Sequence, residues 1–234
     1  MVAVGKGTDP LSALAVLNEP LRRRVYEVVA GGGEMSRDGV ASAIGVARTV
    51  AAFHLDKLVA AGLLDVAYRR PPGRGGPGAG RPAKWYRRAA GEIAVSVPER
   101  RYDLAAELLA RAVERASHAG ADVEGVLAGV ARAHGHDVGS ELRPTSGGAA
   151  AGPRTSLAER LVDVLSRHGY EPELAGGVIT MANCPFHALA EQHRDLVCRM
   201  NHQLLSGVVE EARLDPAAAR LDPGPGRCCV TIVT

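Results

Sequence analysis

Between Arg69 and Arg88 the chain reads RRPPGRGGPGAGRPAKWYRR, with seven basic residues, no acidic one, and a middle of glycine and proline. Proline withholds a backbone donor and glycine loses the most freedom on ordering, so the middle of this segment reads as a loop outside any core. Its flanks are different. Leu63–Arg69 alternates Leu64, Val66 and Tyr68, and Lys84–Arg88 follows the loop as a partner strand, which together predict a two-stranded ribbon with a cationic tip. A ribbon of that kind needs a core to rest on and a polyanion to meet.

The core is expected upstream. Asp9 followed by Pro10 opens a short helix to Leu17, and Asn18 is placed to cap a second helix over 20–30, with Leu21, Val25, Val28 and Val29 on one face. Gly31-Gly32-Gly33 stops it. Ser36 opens a third helix through Val40 and Ala43 to Ile44, and Gly45 makes the turn. A fourth helix runs over 46–61 to Gly62, with Val50, Phe53, Leu55, Leu58 and Val59 read as its buried stripe. Helix, helix, turn, helix and ribbon is the winged helix-turn-helix order, in which the helix after the turn enters the major groove of duplex DNA.

Charge agrees. Residues 1–90 hold 14 Lys and Arg against 7 Asp and Glu (+7), and the remainder holds 14 against 19 (−5). The wing arginines Arg69, Arg70, Arg74 and Arg81, with Lys84, are candidates for phosphate contact through counterion release. On the fourth helix the exposed side is expected to present Ala47, Arg48, Thr49, Ala52, His54 and Lys57. Arg48 and Thr49 sit nearest the base edges, while His54 is placed either on DNA or packed beneath the wing. Ser36 and Arg37 stand where free helix N–H groups meet a phosphate. The block ARTVAAFHLDKLVAAGLL, with the arginine-rich wing and GRPAKWY, resembles the arsenic-repressor-like (ArsR-like) superfamily of bacterial regulators over roughly residues 10–90.

Hydrophobic residues make up 46% of the 234, enough for a sizeable core, but aromatics are only 3%, so that core is built from Ala, Val and Leu. No run approaches the ~18 apolar residues that cross a bilayer, and the first residues lack a signal-peptide cleavage pattern. A cytoplasmic address and no membrane partner are expected, and with them reduced cysteines.

Past residue 91 the periodicity predicts helices over 101–118, 121–139 and 156–168, the last capped by Thr155 or Ser156. A hairpin turns at Gly176-Gly177, its second strand running to Cys184. A long helix follows over 186–213, and a strand over 228–233. The fold class is therefore α+β: a winged helix-turn-helix over 1–90 and an effector and dimerisation domain over 91–234. A lone winged helix reads few bases, so a homodimer on a two-fold operator is expected, its interface built from the helices of 101–139 and the helix after Cys184. His134 and His136 are expected at a helix end facing solvent.

All four cysteines, Cys184, Cys198, Cys228 and Cys229, lie in the last 51 residues. The start of a helix after Cys184 would favour its thiolate. On an unbroken helix Cys184 and Cys198 would stand ~21 Å apart, so a shared site requires a break or a second copy of the chain. Cys228 and Cys229, adjacent on a strand, point to opposite faces, so one of them is expected to serve, Cys228 by preference. NCPFH, the downstream VC and the terminal pair resemble the effector half of SufR-type repressors, whose cysteines hold an iron–sulfur cluster. That resemblance implies a cluster on Cys184, Cys198 and Cys228 or Cys229. It departs from the family's even spacing, since 199–227 holds no cysteine, and the fourth ligand is left to Cys229, His187 or a small molecule. The same donors suit zinc, or remain buried thiols in a regulator gated by a small molecule. A Cys184–His187 nucleophile and base lacks an accompanying acid or oxyanion motif, so no enzyme is expected.

Overall fold

The computed structural model describes residues 9–69, 82–143 and 156–234. The chain forms two compact units, one ending at Val95 and the other beginning at Ser96, each with its own hydrophobic core.

In the first unit, α1 (Pro10–Val16) is capped by Asp9, whose carboxylate accepts from Ser12 N at 2.9 Å. The second helix, α2 (Pro20–Gly32), is capped by Glu19 and not Asn18, because Pro20 takes the first helical position and the residue before it becomes the cap. Glu19 accepts from Leu21 N and Arg22 N. Ser36 caps α3 (Arg37–Ile44) through Gly39 N at 3.1 Å, and Gly45 closes it with φ 78°, the left-handed conformation that glycine tolerates best. The turn leads into α4 (Arg48–Ala60).

The expected ribbon gains a third strand. A short β1 (Met35–Ser36) pairs with β3 (Ala83–Arg88), which pairs in turn with β2 (Leu64–Arg69), giving an antiparallel sheet of order β1-β3-β2. Val25, Val29, Val40, Leu55, Leu58, Leu64 and Tyr86 fill the core. The expected stripe of α4 is wrong at two places. Val50 is 37% exposed and Phe53 55%, whereas Ala51, His54, Leu55 and Leu58 are buried. Those four lie at i, i+3, i+4 and i+7, so spacing, and not the hydrophobicity of individual residues, decides the inward face.

The second unit holds α5 (Tyr102–Ala119), α6 (Val123–Gly139), α7 (Leu157–Arg167), α8 (His187–Gln192) and α9 (Arg194–Glu211). An antiparallel sheet runs β4-β5-β7-β6, from β4 (Pro172–Ala175), β5 (Val178–Met181), β6 (Ala219–Leu221) and β7 (Val230–Val233). Ser156 and Glu159 form a reciprocal capping box on α7, and Thr155 lies outside the described residues. The β4–β5 hairpin turns at Gly176 and Gly177, both at positive φ. Helices α6 and α9 cross at backbone contact: a Cβ on Gly135 would collide with the carbonyl of Leu204, and one on Gly207 with that of Arg132. His134 and His136 do not simply face solvent. Burial lowers the pKa of His134, and His136 lies between Glu210 (3.1 Å) and Glu211 (3.3 Å) of α9.

The chain is α+β, with the winged helix-turn-helix unit first. Among the described residues no helix is long and apolar enough to cross a membrane.

Candidate functional site

Turn geometry and the wing bring Ser36, Arg37, Arg48 and Lys84 around one surface cavity of about 400 Å³, with Tyr68 on its wall. The cations there are already partnered. Asp56 of α4 accepts from Lys84 Nζ at 3.0 Å, from the Tyr86 hydroxyl at 3.2 Å and from Arg37 Nη2 at 3.3 Å. Tyr86, fully buried, also accepts from Arg37 Nε at 2.8 Å. Burial pushes the Asp56 carboxyl up, but Lys84 and Arg37 beside it bring it below its ordinary value. Arg48 pairs with Asp38 at 3.1 Å and Arg69 with Glu34 at 2.9 Å.

His54 is not on the exposed face. It is buried, with Nδ1 3.3 Å from Glu19 Oε2, so it joins α4 to the cap of α2. The exposed face of α4 instead carries Thr49, Phe53 and Lys57 in i, i+4 steps, with the Lys57 ammonium 5.9 Å from the centre of the Phe53 ring. Hydrophobicity alone assigns Phe53 and its neighbour Val50 to the core, which hides them as surface residues. Their fit to the exposed phase of the helix was the available signal. Arg70, Arg74 and Arg81 lie outside the described residues.

The family model described as a helix-turn-helix domain matches residues 16–67, from the end of α1 through α4 into β2. This stretch is a helix-turn-helix domain. Such a domain supports a DNA-binding transcriptional regulator. The match covers under a quarter of the chain and ends well before the cysteines. No curated protein and no solved structure matches the chain.

In the second unit, three separate segments bring the cysteines together. The expected long helix is broken at His193, whose φ −131° and ψ 50° separate α8 from α9. That break lets both Cys184, before α8, and Cys198, one turn into α9, line a single cavity of about 650 Å³. Cys228 and Cys229 line it as well. The strand alternation from which only one of the pair is expected to serve does not apply here. Strand β7 starts at Val230 and Cys229 lies in a bend, so strand alternation does not govern these two residues.

The thiols bear on one another's protonation pair by pair, Cys184 with Cys228, Cys228 with Cys229, and Cys229 with Cys198. Cys184 is not a ready thiolate: its bond to Cys228 and its burial push its thiol far up. At Cys228 the bond from Cys184 works downward, but the Cys229 contact and burial outweigh it and hold the thiol at about 11. The backbone N–H groups of Phe186 and Val230 work the other way, lowering the thiols of Cys184 and Cys228 respectively.

The loop of Cys184 is fixed by its neighbour Asn183, whose buried amide donates to the carbonyls of Glu99 (3.0 Å) and Gly169 (2.7 Å) and accepts from Arg100. Cys228 N donates to Met181 O at 2.8 Å, tying the last cysteine segment to β5. His187 stands on the same cavity with Nε2 3.3 Å from Glu191. Among the described residues, no three His, Cys, Asp or Glu side chains are gathered as they would be about one metal ion.

Proposed function

We propose that the chain is a homodimeric transcriptional repressor, binding a duplex operator through α4 and the wing and sensing iron–sulfur or redox status through its four cysteines. One observation carries the sensing reading: the four thiols of the chain, from three separate segments, line one cavity. A free cysteine packs readily as a small hydrophobe, so it is the gathering that matters: every cysteine of the 234-residue chain lies on this one cavity.

The donor set fits a cluster better than zinc. A single tetrahedral ion needs its ligands about a point, whereas the thiolates of a cluster are spread over different irons. Cys184, Cys198, Cys228 and Cys229 would hold it, so the fourth ligand need not be His187. When bound, a cluster supplies a centre sensitive to electrons, oxygen and iron supply. The protein's own part is to hold the thiols: Asn183 fixes the Cys184 loop, the break at His193 sets Cys198, and the bond to Met181 sets Cys228. The backbone N–H groups that lower two of the thiols favour their unprotonated form once iron replaces the proton.

In the DNA-binding unit, Thr49, Phe53 and Lys57 are presented for base and backbone contact, and Arg48 stands at the helix start. Ser36 and Arg69 border them as phosphate-facing groups, with Arg37 and Lys84 held in reserve on Asp56. The cavity's size also suits a small-molecule effector. Anaerobic reconstitution with ferrous iron and sulfide, followed by iron and sulfide assay and a visible spectrum, separates the two. Uptake of both with a brown chromophore supports the cluster. Uptake of neither leaves a regulator gated by a small molecule.

A further inference from the structure

Asn201 is the one fully buried asparagine of α9, 0% exposed, three residues after Cys198 and so on the same face of the helix. An amide placed there without partners would be strongly destabilising. Both of its ends are satisfied. The Nδ2 group donates to Cys228 Sγ at 3.2 Å, and Oδ1 accepts from the hydroxyl of Tyr170, itself 4% exposed. A relay of two hydrogen bonds therefore runs from Tyr170 through Asn201 to a cysteine sulfur. The direction is set by chemistry: a sulfur bound to iron has no proton to give and only accepts, so Nδ2 must face it, and Oδ1 is left for the tyrosine O–H.

We infer that Asn201, oriented by Tyr170, is a positioning residue that donates an N–H···S bond to Cys228 and raises the reduction potential of a cluster held on that sulfur. The inference rests on the cluster reading. An added electron increases the negative charge on the cysteine sulfurs, and an N–H dipole aimed at one of them stabilises the reduced form more than the oxidised form. Burial strengthens the effect, because no water screens the dipole. Asn201 also couples two of the four cysteines, since its helix carries Cys198 while its amide holds Cys228.

The test uses the full chain reconstituted anaerobically with ferrous iron and sulfide and titrated by spectroelectrochemistry. Asn201→Leu keeps the branched shape with somewhat more bulk and removes the donor. It should bind wild-type amounts of iron and sulfide while its reduction equilibrium moves about tenfold toward the oxidised form, about 59 mV for a one-electron couple. Tyr170→Phe, which loosens the orientation of the amide, should give a smaller shift of the same sign. If Asn201→Leu folds poorly because the tyrosine hydroxyl is stranded, the double variant with Tyr170→Phe removes both partners together and carries the same expectation. A variant that loads and titrates at the wild-type potential overturns the inference alone. A wild-type chain that takes up neither iron nor sulfide overturns the cluster reading, and this inference with it.

Discussion

Lys84 Nζ lies 3.0 Å from Asp56 Oδ1, so the first basic residue of β3 is tied to α4 and is not free in solvent. Arg37 reaches the same carboxylate from the start of α3, and Tyr86 supports it from beneath. One acidic residue on α4 thus fixes the angle between helix and wing while neutralising two cations that DNA would otherwise attract.

Asp56→Asn should therefore strengthen non-specific DNA binding. With Arg37 and Lys84 released to phosphate, the slope of log K against log salt steepens by up to about 1.8, at ~0.9 per phosphate. Fluorescence anisotropy on random duplex between 50 and 200 mM salt measures it. An unchanged slope means that the two cations stay within the protein.

Stability should respond to acid at the same place. The folded Asp56 carboxyl titrates below its ordinary value of 3.8, so the folded chain binds fewer protons than the unfolded one in that range. Its contribution is present above about pH 4 and is lost as pH falls through and below 3.8. The side chain is half exposed, which holds the contribution to about 1 kcal/mol or less. In acid unfolding followed by circular dichroism, wild type should lose this increment and Asp56→Asn should not.

Arg48→Ala and Phe53→Ala should each weaken operator binding more than random-duplex binding. A bidentate arginine–guanine contact discriminates by ~1–3 kcal/mol, and an exposed ring on α4 meets thymine methyl groups. Since Phe53 is 55% exposed, its loss should leave the melting temperature nearly unchanged. Equal losses on operator and random DNA would assign both residues to backbone contact.

Two alanine substitutions on α6 should differ sharply. Nothing lies within 4 Å of a Cβ at Gly129, so Gly129→Ala should stabilise the chain by up to ~1 kcal/mol through helix propensity. Gly135→Ala forces α6 off the Leu204 carbonyl of α9 and should cost ~2–3 kcal/mol or more. Urea unfolding reads both.

Each of the four Cys→Ser variants should lose bound iron and sulfide together, Cys229→Ser no less than Cys228→Ser. His187→Ala should load normally, because its ring pairs with Glu191 and four thiols already line the cavity. A silent Cys229→Ser paired with a damaging His187→Ala would restore the histidine as fourth ligand.

The helix-turn-helix order was legible because its boundaries are written locally: Pro10 and Pro20 at helix starts, Ser36 as a cap, Gly45 and the hairpin glycines at turns. His54 and Phe53 exchanged places in that reading because a small alanine and a histidine hold inward positions of α4, and hydrophobicity alone favoured the phenylalanine. The cysteine cavity was legible only as a condition. Spacing showed that Cys184 and Cys198 needed a break between them, but HALAEQHRD has no Gly or Pro to mark it, and the break at His193 belongs to tertiary packing. Asn201 left a weak trace, a polar residue among Val197, Met200, Leu204 and Leu205. Its partners, Tyr170 and Cys228, are 31 and 27 residues away along the chain.

The break at His193 also bears on traffic into the cavity. Helix α8 is six residues long, buries none of them, and supplies His187, Ala190 and Glu191 to the cavity wall. A single turn so lightly held opens by local fluctuation and not with the rest of the unit. Its amides should exchange with deuterium far sooner than those of α9 and at a rate insensitive to low urea. Cys198 and Cys229 are partly exposed without it, so the reagents whose pace this one turn would set are those bound for the buried thiols Cys184 and Cys228, however stable the surrounding fold is made.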